Sequence, residues 1–278
     1  KGAPSSPCTV FHKINNSGVA LNYSQNKYFA ELSRGGWQQV FKYGSIAQHV
    51  RYYDIKAAYY SAGLNILPKK IRVYTKGDKY FLAIMKLDII NPNLPPAFRR
   101  KLVVCDYIDI DTYNLKGEII FGVAWDKSDI INLQETWENI KKLGLNNKTV
   151  KKMMQTYWGR WGMTKPVIRE TRRGGSVISQ SQIKNNLKNA VWSCLIINRV
   201  TRKVWRVVDS KNVLLVLTDA VLTTDKIETG STAGSWVKKL DLPDGVIIKA
   251  PGVWSGLLDS NKNVNEWEKH SGHKAKEV

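Results

Sequence analysis

The chain opens without a periodic apolar signal. Residues 1–30 are polar and rich in Asn and Ser, with Pro4 and Pro7 early, and read as an irregular lead-in. Ser33-Arg34-Gly35-Gly36 marks a turn. Short apolar runs at residues 40–43 and 50–55 predict strands, the second carrying Asp54 near its end. Residues 71–74 and 80–87 are expected to pair across Lys76-Gly77-Asp78, and residues 91–100 form a basic loop containing proline. Residues 103–110 and 118–123 read as two further strands across a turn at 114–117. From Ser128 the period changes. Ile130, Leu133, Trp137, Ile140 and Leu143 recur every three or four residues, which predicts a helix that Gly144 stops.

A second helix is expected at 149–158, a basic linker ending in glycine at 169–175, and a long helix at 183–200. Residues 204–208 and 213–217 read as strands, with 221–224 as a returning hairpin partner. Residues 236–240 are ambiguous, 245–249 predict a strand, and a charged tail follows Asp259. No internal repeat is visible. Helical and extended patterns mix without regular alternation, which favours an α+β fold over a doubly wound sheet.

Composition narrows the function classes. The 278 residues are 43% hydrophobic, enough for one large domain or two or three lobes. The 43 Lys and Arg exceed the 23 Asp and Glu, giving a formal charge of +20. Such a surplus favours a polyanionic partner, because neutralised phosphates release their counterions. No basic amphipathic helix, apolar run of membrane length or secretion signal stands out, so neither a membrane partner nor export is expected. Cys8, Cys105 and Cys194 are odd in number and widely spaced, which fits neither a disulfide framework nor zinc, and implies a reducing, intracellular setting. His270 and His273 lack the companions of a zinc site. The chain begins at Lys1, as a processed or trimmed piece would.

Three segments carry candidate chemistry. In Tyr53-Asp54-Ile55-Lys56-Ala57-Ala58-Tyr59-Tyr60-Ser61 a carboxylate ends an apolar strand, where it is rigidly held and suited to a divalent ion. The same pattern also describes an ordinary strand entering a polar turn. In the segment from Lys151 to Gly162, Lys151, Gln155 and Trp158 share one helix face, a set suited to phosphate, sugar and base and equally to an amphipathic surface helix. In the run from Val213 to Leu222, Asp219 interrupts apolar residues, which suits a hairpin tip with a metal ligand or a plain turn.

In order and spacing these segments resemble the motifs of family B DNA polymerases. The first is similar to Asp-x-x-Ser-Leu-Tyr-Pro-Ser, with Asp54, Tyr59 and Ser61 in register. The second is similar to Lys-x-x-x-Asn-Ser-x-Tyr-Gly, with Lys151 and Gly159 matching and Gln155, Thr156 and Trp158 departing. The third is similar to Asp-Thr-Asp-Ser, with Thr218 and Asp219 matching and Leu217 in place of the first Asp. Gly35-Gly36 ahead of residues 40–44 resembles the Tyr-x-Gly-Gly region of the protein-primed branch, with Ser33 where its Tyr would stand. Lys249, Gly252 and Trp254 fall where the family has Lys-x-Tyr, with Gly252 at the Lys position and Trp254 at the Tyr position.

The resemblance covers about residues 32–256. It implies a right-hand polymerase with an antiparallel palm sheet, helical fingers and a small thumb. After the lead-in (1–31), the palm would occupy 32–125, with room for an insertion, and 166–230, which carries the catalytic hairpin. The fingers would occupy 126–165, and the thumb and tail 231–278. It further implies DNA synthesis from dNTPs on primer–template DNA by two-metal chemistry. Asp54, Asp219 and the Ile55 carbonyl would hold Mg2+, or Mn2+ in its place. Lys151, Gln155, Trp158 and Tyr59 would bind the nucleotide, with Tyr59 selecting deoxyribose. Gly35, Gly36, Arg199, Lys249 and Trp254 would meet DNA, Arg199 from the end of a helix. A terminal protein, a separate exonuclease part or other replication subunits are the further partners it implies, with the host cytoplasm as location for a viral or plasmid enzyme. Residues 1–31 hold only Glu31 as a carboxylate, so a nuclease would lie elsewhere or not exist. The rival expectations are a catalytically silent palm, an RNA-synthesising or reverse-transcribing palm, and a structural DNA-binding protein.

Overall fold

A computed structural model describes residues 21, 23–33, 36–142, 167–173, 176–183 and 190–257. In chain order the elements begin with α1 (Tyr23–Leu32), β1 (Gln38–Val40), β2 (Gly44–Ile46), β3 (Val50–Ile55) and α2 (Ala58–Gly63). Next come β4 (Arg72–Val73), β5 (Phe81–Leu87), β6 (Leu102–Asp106), α3 (Tyr107–Tyr113), β7 (Gly117–Ala124) and α4 (Leu133–Lys141). The hairpin of β8 (Val167–Arg173) and β9 (Ser176–Ile183) precedes α5 (Ala190–Ser210). The last strands are β10 (Val213–Leu217), β11 (Ala220–Thr223), β12 (Trp236–Leu242), β13 (Val246–Ala250) and β14 (Val253–Gly256). The chain is mixed α and β with antiparallel sheets, as the pattern predicts. No helix among the described residues is long and apolar enough to cross a membrane.

The chain divides into two compact units, residues 1–34 with 63–198, and residues 35–62 with 199–278. The first holds the sheet β4-β7-β5-β6. β5, in the interior of that sheet, is a nearly continuous apolar run in which only Lys86 is exposed. Its core joins Phe29, Leu82, Ile84, Val104, Val123 and Trp125 to Val191, Cys194 and Leu195 of α5. Cys105 and Cys194 are buried thiols.

Several predicted elements are redrawn. The strand at 71–74 pairs with β7 rather than with 80–87, because β6 and β7 already occupy both edges of β5. The strand predicted to reach Ile110 stops at Asp106. There the Asp106 carboxylate accepts from the Ile108 and Asp109 amides, and the Asp109 carboxylate accepts from the Asp106 amide, a capping box that starts α3. The stretch expected as a linker at 169–175 falls in the β8–β9 hairpin, where residues 167–173 pair antiparallel with 176–183. Of the helix expected at 183–200, Ile183 ends β9 and residues 190–200 join the strand expected at 204–208 in α5. Burial continues at helical spacing through Val200, Val204 and Val207, so the valines that read as a strand are one helix face. The helix expected from Ser128 starts at Leu133, where the Asn132 side chain accepts from the Glu135 amide. The predicted helix 149–158 lies outside the described residues.

The second unit carries the five-stranded antiparallel sheet β1-β10-β11-β3-β12 and the three-stranded sheet β14-β13-β2. One core serves both sheets, built from Ile46, Val50, Leu214, Leu215, Leu222, Val246, Ile248 and Trp254.

Candidate active site

β3 reads Val-Arg-Tyr-Tyr-Asp-Ile, and alternation puts Val50, Tyr52 and Asp54 on one face. Val50 is buried in the core, Tyr52 packs its ring against Trp254 with centroids 5.3 Å apart, and Asp54 ends the row half-buried. The strand's last backbone amide, on Ile55, donates to the carbonyl of Asp219 at 3.0 Å.

Asp219 sits at the tip of the β10–β11 hairpin. Leu217 faces Ala220 in register, which leaves Thr218 and Asp219 as the tip, and Ala220 in turn faces Asp54 on β3. Strand pairing therefore brings the two aspartates to adjacent backbones of one sheet. The tip is fixed on its other side too, since the Thr218 amide donates to the Trp37 carbonyl at 2.6 Å. Thr218 has φ 63°, an uncommon conformation for a β-branched residue. Gly36 explains how it fits: a Cβ at position 36 would stand 2.1 Å from Thr218 Cγ2. The glycine singled out by sequence thus packs beneath the hairpin tip.

The electrostatics bind these groups together. Burial, and then the negative charge of Asp54, push the Asp219 carboxyl up to about 6. The Asp54 carboxyl is also raised by burial, with the Lys239 ammonium and the Ile55 amide opposing that rise. Two phenols feel the same field. Tyr52 is pushed up to about 12 by burial, then by Asp54 and Asp219, and Tyr59 is raised by burial, then by Asp219 and Asp54. Tyr52 is a site neighbour that the sequence reading missed. Its signal was present in the alternation of β3, two positions before Asp54.

After β3 the chain turns through Ala57 at φ 51° into α2, which carries Tyr59. The loop ahead of β12 clamps this turn. The Gly234 amide donates to the Lys56 carbonyl at 2.7 Å, the Lys56 amide to the Ser235 carbonyl at 2.9 Å, and Lys56 Nζ to the Ser231 carbonyl at 2.7 Å. Lys203 Nζ donates to the Gly234 carbonyl. Arg199 is not at a helix end, as expected, but inside α5, where it donates to the Ala62 carbonyl at 3.3 Å. Lys249 is exposed on β13, and Trp254 is buried behind Tyr52. Gly35, Lys151, Gln155 and Trp158 lie outside the described residues. Leu217, at the position of the family's first Asp, packs against the core.

The donor set suits a hard cation. Asp219 feels the negative charge of Asp54, which a cation beside them would offset, and Mg2+ commonly takes one or two carboxylates together with substrate phosphates. Among the described residues no group of three or more Asp, Glu, His or Cys surrounds a metal position.

No family model and no curated protein matches the chain. Solved structures do. Phi29 DNA polymerase complexed with primer-template DNA aligns with a TM-score of 0.59 at 13% identity, over 89% of this chain and 53% of that one. The same polymerase complexed with single-stranded DNA aligns at 0.58, 12%, 89% and 53%. Its ternary complex with primer-template DNA and incoming nucleotide substrates gives 0.58, 12%, 89% and 54%. The chain spans about half the length of these structures. At such identity the likeness is one of fold, and this chain shares its fold with part of a DNA polymerase.

Proposed function

We propose that the chain is the polymerising part of a DNA polymerase, adding deoxynucleotides to a primer 3′ hydroxyl on a DNA template. The observation that carries this reading is the placing of Asp219, at the β10–β11 tip, beside Asp54, which faces Ala220 on the neighbouring strand, within a fold shared with a polymerase solved on primer-template DNA.

Asp54 and Asp219 would hold Mg2+, or Mn2+ in its place, with the Ile55 carbonyl as a further oxygen. When bound, the ions lower the pKa of the primer hydroxyl and neutralise the charge on the leaving pyrophosphate. Asp219, raised by burial and then by the charge of Asp54, would favour its ionised form beside a cation. Tyr59, on the turn clamped through Lys56 and Gly234, would lie beneath the deoxyribose and exclude a 2′ hydroxyl. Lys151 would meet the β- and γ-phosphates as a point charge, with Gln155 and Trp158 beside the nucleotide. Arg199 and Lys249 would serve the DNA, Gly36 the seating of the tip, and Trp254 the position of Tyr52. The five-stranded sheet would be the palm of a family B enzyme, with the fingers in 126–165; because β12 pairs with β3 in that sheet, the thumb expected at 231–278 would begin only after β12. Primer extension by the parent protein and Asp219→Asn tests the reading.

A second reading, a catalytically silent palm that binds nucleic acid, draws on Leu217 occupying the place of the family's first Asp. Extension with Mg2+ or Mn2+ separates the two.

A further inference from the structure

β12 runs antiparallel to β3 with Trp236 opposite Ile55, Val237 opposite Asp54 and Lys238 opposite Tyr53. The register then shifts, and Leu240 rather than Lys239 faces Tyr52. Lys239 is the extra residue of a β-bulge, a feature that re-aims side chains beside functional sites. Without it, Lys239 would stand opposite Tyr52, whose ring packs on Trp254. With it, Leu240 takes that place against the core, and Lys239 is released. Its Nζ reaches 4.0 Å from Asp54 Oδ2, while the neighbouring Lys238 turns away to pair with Asp241 at 2.7 Å.

We propose that Lys239 is an internal counter-cation of the carboxylate pair, occupying Asp54 in the metal-free protein and competing with a divalent ion for it. This rests on the reading of Asp54 and Asp219 as the metal-holding pair. The consequence is a matter of charge. Two ionised carboxylates balance one divalent ion, but with Lys239 beside them the loaded site carries an excess positive charge. Phosphates of an incoming nucleotide remove that excess. The site is therefore weak for the free ion and strong for the ion arriving with a triphosphate. Lys239 is a positioning residue in this scheme, since it acts through Asp54 and through the local charge.

The test is an electron paramagnetic resonance titration of the protein with Mn2+ alone, without DNA or nucleotide, with circular dichroism confirming the fold of each variant. The pair is partly exposed, with side chains 48% and 32% accessible, so the expected change is modest. Lys239→Met should tighten Mn2+ binding by up to about fivefold, the range of an exposed ion pair. Lys239→Glu should tighten it further, and Lys239→Arg should bind like the parent. Equal affinity in the parent and Lys239→Met overturns the proposal, and so does equal tightening by Met and Arg. The underlying reading has a separate control: Asp54→Asn should lose the site. If Asp54→Asn binds Mn2+ as the parent does, or if neither the parent nor Lys239→Met binds saturably, the reading and the proposal fall together.

Discussion

Asp219 carries a conflict between stability and chemistry that can be measured. Its carboxyl stands at about 6, above the value of about 3.9 for an unfolded Asp. A carboxyl raised on folding adds stability below about pH 4, and that stability is lost as the pH rises through about 6. At ~1.4 kcal/mol per unit the shift is worth about 3 kcal/mol, and partial exposure reduces this to about 1–2 kcal/mol. In metal-free buffer, Asp219→Asn should therefore be more stable than the parent at pH 7.5 by about 1–2 kcal/mol, with the slope between pH 4 and 6 flattened. Urea unfolding across that range checks it. Tyr59 makes a second prediction at this scale. Tyr59→Ala should incorporate ribonucleotides at least about tenfold more readily relative to deoxynucleotides, roughly the 1–3 kcal/mol range of a pocket contact. An unchanged ratio in competitive extension removes Tyr59 from the sugar site. The two aspartates were legible in the sequence because each interrupts or ends an apolar run, where an unpartnered carboxylate is costly. Tyr52 was open to the same reading, two positions before Asp54 on an alternating strand, but Lys239 was not, because it reaches the site through a bulge, and register between distant strands is invisible in a linear pattern.

Among the elements, the hairpin tip depends on a close fit between Gly36 and Thr218. Gly36→Ala forces a methyl into the Thr218 side chain, and overpacking of this kind costs about 1–3 kcal/mol. In a Thr218→Gly background the obstructing side chain is gone and the φ of 63° is no longer strained. The same Gly36→Ala change should then cost less than about 1 kcal/mol, as a double-mutant cycle of unfolding would show. Additive costs would mean that the two residues do not meet. The Gly-Gly pair was legible as a turn ahead of the first aspartate strand. Its partner at the tip was not, since the strands that join them are far apart in sequence. α5 shows the opposite failure. Val204, Val207 and Val208 have strand character locally, and only the burial of Val191, Leu195 and Val200 before them shows that the helical period continues. The strand that ran on to Ile110 failed for another reason, because the apolar alternation of Tyr107 to Ile110 conceals a capping box.

For the molecule as a whole, the formal charge of +20 was read from composition, and the proposed function would match it with a polyanionic partner. Binding to primer–template DNA through about five phosphates predicts a slope of log affinity against log salt near −4 to −5. A slope near zero in a fluorescence titration would mean that the charge does not hold the template. The central claim is that Asp54 and Asp219 form the polymerising centre, and it is tested most directly by extension of a labelled primer on a DNA template with Mg2+, comparing the parent with Asp219→Asn. The account predicts a template-directed ladder from the parent and a loss of at least about a thousandfold in rate from the variant, on the scale of removing a group that stabilises the transition state, with DNA binding retained. Extension by Asp219→Asn at the parent's rate, or no extension by the parent with either Mg2+ or Mn2+ while it still binds the DNA, would contradict it.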